Sequence, residues 1–153
     1  MPNPVISDQT AKPDPNALLP DPERLTHTSQ APRILVVEDE FFVSLEIEGA
    51  FTGAGYNVVA VASSAEEAEH YATVERPDLI VMDIRLLGAR DGIDAAMRIF
   101  RHSGIRAIFA TAHGDTQTRE RAAPAHPLGW LAKPYSMESL IEAVRRALKE
   151  LKN

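Results

Sequence analysis

The stretch Leu79-Ile80-Val81-Met82-Asp83 decides how this chain is read. Four consecutive apolar residues suit a buried strand, and the run ends on a carboxylate. Three other apolar runs end in a comparable way. Ile34-Leu35-Val36-Val37 leads into Glu38-Asp39, Ala107-Ile108-Phe109-Ala110 into Thr111, and Leu128-Gly129-Trp130-Leu131-Ala132 into Lys133-Pro134. Four strand ends thus carry three carboxylates, a hydroxyl and an amine. In an open parallel sheet, ligands bind beyond the carboxyl ends of the strands, at the point where strand order reverses. That set of groups suits a divalent metal, a carboxylate nucleophile and a phosphoryl group.

Working outward, strands are expected near 33–37, 57–61, 78–82, 106–110 and 128–132. Helical patterns fall near 40–54, 64–75, 92–102, 115–123 and 136–151. Five strand–helix units in succession predict an α/β fold, a doubly wound parallel sheet with five strands and five helices. Ser63-Ser64, Asp91, Asp115 and Ser136 are capping residues for helix starts. Gly55 and Gly104 stand where helices end. In the first helix, Val43, Ile47, Ala50 and Ala54 form one stripe that can pack on the sheet. Phe41 and Leu45 share a different face and are expected to point outward, as a protein contact or a surface covered by other parts of the chain. The fourth helix offers little apolar surface beyond Ala122 and Ala123, and Pro124 and Pro127 limit its length.

Residues 1–32 differ from the rest. Seven of the chain's 11 prolines lie there, which disfavours helix and central strand. This segment is expected to be a flexible arm, and 33–153 the folded domain. The net charge of −6 argues against sequence-independent binding of nucleic acid, which needs a basic surface. With no cysteine, disulfides and thiolate metal sites are excluded. No secretory leader pattern and no run approaching ~20 apolar residues is present, so a cytoplasmic protein without a membrane span is expected. The last helical pattern reaches the end of the sequence, so no output domain is expected after it.

With these residues placed, residues 33–152 resemble a response-regulator receiver domain of two-component signalling. The resemblance rests on Glu38-Asp39, on Asp83, on Thr111 followed by the small Ala112, and on Lys133-Pro134, each after the appropriate strand. The loop Asp83-Ile84-Arg85-Leu86-Leu87-Gly88 with Asp91-Gly92-Ile93 is similar to a common bacterial form. It is one residue longer than the usual form and lacks its proline. Phe109-Ala110-Thr111, with Lys133-Pro134-Tyr135, resembles a Phe-Ala-Thr subset of stand-alone, single-domain regulators.

The resemblance implies a flavodoxin-like sheet with strand order 2-1-3-4-5. It implies that Asp83 accepts a phosphoryl group from a phosphohistidine, and that Mg²⁺ is the cofactor. Asp39, Asp83, Glu38 and the backbone carbonyl of Arg85 would hold the metal. Lys133 would pair with the phosphoryl oxygens, and Thr111 would donate its hydroxyl to them. Trp130 stands where the family has an aromatic switch that works with Thr111. His113 could act on the hydrolytic water. The implied partners are a histidine kinase or a histidine phosphotransferase, with a homodimer also considered. The runner-up is a Mg²⁺-dependent phosphohydrolase with an aspartate nucleophile, but that class wants a second carboxylate where this chain has Arg85. A phosphate sink or relay is a third reading. A cofactor-binding flavodoxin is disfavoured, because Glu38-Asp39 would repel phosphate at the first strand end.

Overall fold

The apolar runs pair into one sheet. In the computed structural model, which describes residues 30–153, the strands are β1 (Arg33–Val37), β2 (Asn57–Ala62), β3 (Leu79–Asp83), β4 (Ala107–Thr111) and β5 (Gly129–Ala132). All pairings are parallel, and the order is β2-β1-β3-β4-β5. The expected fold class and strand order are therefore both found. The arm expected over 1–32 lies outside the described residues apart from its last three. Ala31–Asn153 form one compact unit.

Between the strands run α1 (Phe41–Gly53), α2 (Ala65–Glu75), α3 (Gly92–Ser103), α4 (Thr116–Ala122) and α5 (Met137–Leu151), with a 3₁₀ turn at Ala123–Ala125. Ser64, Asp91, Asp115 and Ser136 each accept a hydrogen bond from a backbone N–H of the helix that follows, satisfying one of its free donors. Gly104 closes α3 in the left-handed conformation at φ 74°.

Both sheet faces are covered, which explains the unbroken apolar runs of β1, β3 and β4. On one face, α1 and α5 bury Ile47, Phe51, Leu140 and Val144 against Ile34, Val36, Leu79, Val81 and Ile108. On the other, α2 and α3 bury Ala68, Ala72, Ile93 and Ile99 against Leu35, Ile80, Met82 and Phe109. The alternation along β1 sends Ile34 and Val36 to one layer and Leu35 and Val37 to the other.

The first helix departs from the expected stripe. Its buried line is Ser44, Ile47 and Phe51, while Ala54 is exposed. The polar Ser44 is tolerated inside because its hydroxyl donates to the Phe41 carbonyl at 2.7 Å. Phe41, Phe42 and Leu45 are 68%, 82% and 47% exposed, so the outward apolar ridge is present. In α4, only Ala122 is buried. A helix with so little buried surface opens locally at low cost. Amides of Thr116–Ala122 should therefore exchange with solvent well before those of Ile34–Val37. Equal protection of the two segments would contradict this.

Candidate functional site at the strand ends

The sheet topology brings the four charged strand ends to one edge. β1 and β3 are neighbours, so Glu38 and Asp83 emerge side by side, and both are 4% exposed. Carboxylate oxygens of Glu38, Asp39 and Asp83 all lie within 4.8 Å of one another. Among the described residues, no other group of His, Asp or Glu converges in this way. Lys133, from the far end of β5, reaches across β4. Its Nζ donates to Asp83 Oδ2 at 2.8 Å and lies 3.9 Å from Glu38 Oε2. The Lys133 N–H is held by the Thr111 carbonyl at 2.9 Å, and the Lys133–Pro134 bond is cis.

The electrostatics follow from crowding. Burial is the main influence pushing the Glu38 carboxyl up to about 7. The Glu40 N–H, donating to it at 3.1 Å, pulls it down; the Asp83 charge pushes it up and the Lys133 charge pulls it down. Lys133 is partly desolvated, which would lower its pKa. The hydrogen bond and charge of Asp83, with the charge of Glu38, outweigh that and hold it raised. One amine thus serves two buried carboxylates, and a third stands beside them. Three hard oxygen donors with too little positive charge fit a divalent cation such as Mg²⁺.

Asp83 is fixed on its other oxygen too. The Arg85 N–H donates to Asp83 Oδ1 at 3.2 Å. Thr111 is buried, and its Oγ accepts the His113 N–H at 3.1 Å, which leaves the hydroxyl proton free to donate elsewhere. Asp83, Arg85, Thr111, Ala112, His113 and Lys133 line a cleft of about 190 Å³. Trp130 does not line it. The indole is half-buried, stacked on Phe109 with ring centres 5.0 Å apart, and carries the Arg119 guanidinium 5.1 Å from its ring centre.

The loop after Asp83 is fastened to α2. The Leu87 N–H donates to the Ser63 carbonyl at 3.4 Å, and Leu87 pairs with Ser64 as a parallel bridge. Arg90 forks onto both oxygens of Glu69 at 2.6 and 3.0 Å, and its Nε donates to Glu66 at 3.3 Å. The residue that returns the chain to α3 is Gly92, whose N–H donates to the Ile84 carbonyl at 2.8 Å.

Sequence reasoning placed Glu38, Asp39, Asp83, Arg85, Thr111 and Lys133 together, and the structure brings all six to one site. It missed Ile84, Thr118 and Arg121, which also line the cleft. Thr118 and Arg121 are spaced i,i+3 on α4, so they share a face. That spacing was visible in the sequence, but which face meets the site depends on how α4 docks.

Comparisons with known proteins agree with this geometry. The profile of the response regulator receiver domain matches residues 34–145. The transcriptional regulatory protein PdtaR of Mycobacterium tuberculosis is 32% identical over 120 residues, covering 78% of this chain and 58% of PdtaR. Sporulation initiation phosphotransferase F of Bacillus subtilis is 28% identical over 117 residues, covering 76% of this chain and 93% of that protein. The crystal structure of the signal receiver domain of a modulated diguanylate cyclase from Desulfovibrio desulfuricans G20 superposes with a TM-score of 0.72 at 34% identity, covering 80% of this chain and 97% of that one. The chain spans about half the length of the first curated relatives it matches. No helix among the described residues is long and apolar enough to cross a membrane. With the profile matched over most of its length and the strand-end cluster in place, the chain belongs to the response regulator receiver domain family.

Proposed function

We propose that this chain is a phosphoacceptor of a two-component phosphorelay in the cytoplasm, taking a phosphoryl group from a phosphohistidine onto Asp83 with Mg²⁺. The observation that carries this reading is Asp83 itself. It is a buried carboxylate held on both oxygens, with an amine at 2.8 Å and two further carboxylates within reach. In the transfer, an Asp83 oxygen attacks phosphorus and the phosphorus–nitrogen bond of the donor breaks. The imidazole leaves with the electron pair and takes a proton from solvent. Bound by Glu38, Asp39, Asp83 and the Arg85 carbonyl, Mg²⁺ would neutralise the carboxylates and polarise the phosphoryl oxygens. Lys133 balances charge on the phosphoryl group, the Thr111 hydroxyl donates to it, and Ala112 leaves room for it. Water attack on phosphorus later returns free Asp83 and inorganic phosphate, with His113 at the mouth of the cleft.

Intact-mass measurement after incubation with acetyl phosphate and Mg²⁺ should show one added phosphate, lost on chelation and absent in Asp83→Asn. No uptake from acetyl phosphate or from a phosphohistidine donor, or equal uptake in the variant, overturns the assignment.

The donor needs a surface beside the site, and we assign it to the ridge Phe41, Phe42 and Leu45 at the start of α1. Exposed aromatic and aliphatic anchors, here at the head of the helix that follows Glu38-Asp39, are what a docking protein buries. Phe41→Ser with Leu45→Ser should slow phosphotransfer from the protein donor by about tenfold or more. Uptake from acetyl phosphate should stay unchanged, because the substitution is superficial. Unaltered transfer from the protein donor would remove this surface from the mechanism.

A further inference from the structure

The helix α4 carries into the phosphoacceptor cleft a cation that has no part in the transfer described so far. Arg121 lines the cleft together with Asp83, Thr111 and Lys133. Its guanidinium donates to Asp91 Oδ2. Asp91 also caps α3, where its Oδ1 accepts the Asp94 N–H at 3.0 Å. We propose that Arg121 is a phosphoryl-binding residue, shared between Asp91 before phosphorylation and the phosphoryl oxygens after it. The proposal rests on the phosphoacceptor reading of Asp83.

Charge makes the exchange reasonable. A phosphoryl group on Asp83 replaces one negative charge with about two. Mg²⁺ and Lys133 together would just balance the three carboxylates Glu38, Asp39 and Asp83, so the added charge calls for a further cation. Arg121 is the remaining arginine or lysine besides Arg85 and Lys133 in the cleft lining, and guanidinium–phosphate pairs are strong and geometrically matched. The competing pair is cheap to give up. The Arg121 side chain is 50% exposed, and exposed ion pairs are weak. Asp91 also loses little when Arg121 leaves. It keeps the Asp94 N–H and sits at the N-terminus of α3, where the helix dipole favours its charge.

The exchange would couple chemistry to shape. α4 is joined to its surroundings by Arg121 on Asp91, by Arg119 over Trp130 and by the single buried Ala122. Moving Arg121 from α3 to the cleft releases one of these three ties.

The test compares three variants under fixed acetyl phosphate and Mg²⁺, reading the phosphorylated fraction and its decay. Arg121→Ala should lower the steady-state phosphorylated fraction relative to unphosphorylated protein by about tenfold. Arg121→Lys should recover most of that loss. Asp91→Asn retains a capping side chain but frees Arg121, so it should raise the fraction above wild type. A merely structural ion pair would move Arg121→Ala and Asp91→Asn in the same direction. Changes of the same sign, or no change in Arg121→Ala, overturn the proposal. Thermal midpoints of all three, taken beforehand, separate unfolding from altered chemistry, and Arg121→Lys decides the matter if Arg121→Ala is unstable. A wild type that takes no phosphate at all would instead refute the role of Asp83.

Discussion

Gly92→Ala should lower the stability of the domain by about 2–4 kcal/mol and slow phosphate uptake by about 10²-fold. A Cβ at this position would stand 2.0 Å from the Asp83 carbonyl oxygen, 2.8 Å from Met82 Cγ and 2.9 Å from the Asp83 carbonyl carbon. Two of those atoms are backbone and cannot swing away, so the start of α3 must back off from β3. Backing off stretches the 2.8 Å hydrogen bond from the Gly92 N–H to the Ile84 carbonyl. Alanine is the better helix former by about 1 kcal/mol in a helix interior, and by less at a first position. That gain is too small to offset the overlap. The overlap falls on the Asp83 backbone itself, so the loss reaches the site directly. Urea denaturation and the rate of phosphate uptake measure both effects. A variant with wild-type midpoint and wild-type uptake would show that the close approach is not needed.

Phe51→Ala is expected to cost about 3–5 kcal/mol with much less effect on the chemistry once folded. Phe51 is wholly buried at the end of α1, edge-on to Tyr56 with ring centres 5.9 Å apart. Ile47 on the same helix and Ile34 and Leu79 on the strands belong to the same buried layer and to fixed elements, so the space cannot collapse. Thermal melting should show a midpoint lower by about 10 °C or more. A loss near 1 kcal/mol would mean that the layer repacks.

The strand ends were legible because the sheet is buried on both faces. Each central strand is then a short unbroken apolar run, and the residue where polarity returns marks the edge at which the charged cluster gathers. Asp83, Lys133 and the Glu38-Asp39 pair were legible that way, and the four capping residues by their place before α2, α3, α4 and α5. Legibility ended where tertiary packing chose among equal local options. In α1, Val43 and Ser44 are adjacent, and the apolar pattern favours Val43. The helix nevertheless buries Ser44 with Ile47 and Phe51, since a hydroxyl bonded to its own helix costs little and Phe51 brings the larger area. Arg76 and His126 end their elements at φ 46° and 51°, a conformation in which glycine is the usual resident. Neither residue type announces it. The contacts of Gly92 with Asp83, and of Arg121 with Asp91, join elements whose spacing only the finished packing sets.

The clasp of Arg90 on Glu69 and Glu66, with the Leu87 bridge, has a consequence for timing. Fixing a free backbone residue costs roughly 1–2 kcal/mol of entropy. The segment Ile84–Asp91 is tied at Leu87 and Arg90 before any phosphoryl group arrives. Its ordering cost is therefore met once, during folding, and not again at each turnover. What the phosphoryl group gains from its contacts is left over for work elsewhere in the molecule. With a cradle tied in advance and an α4 that buries only Ala122, the conformational response to a phosphoryl group on Asp83 would fall on the helix rather than on the loop.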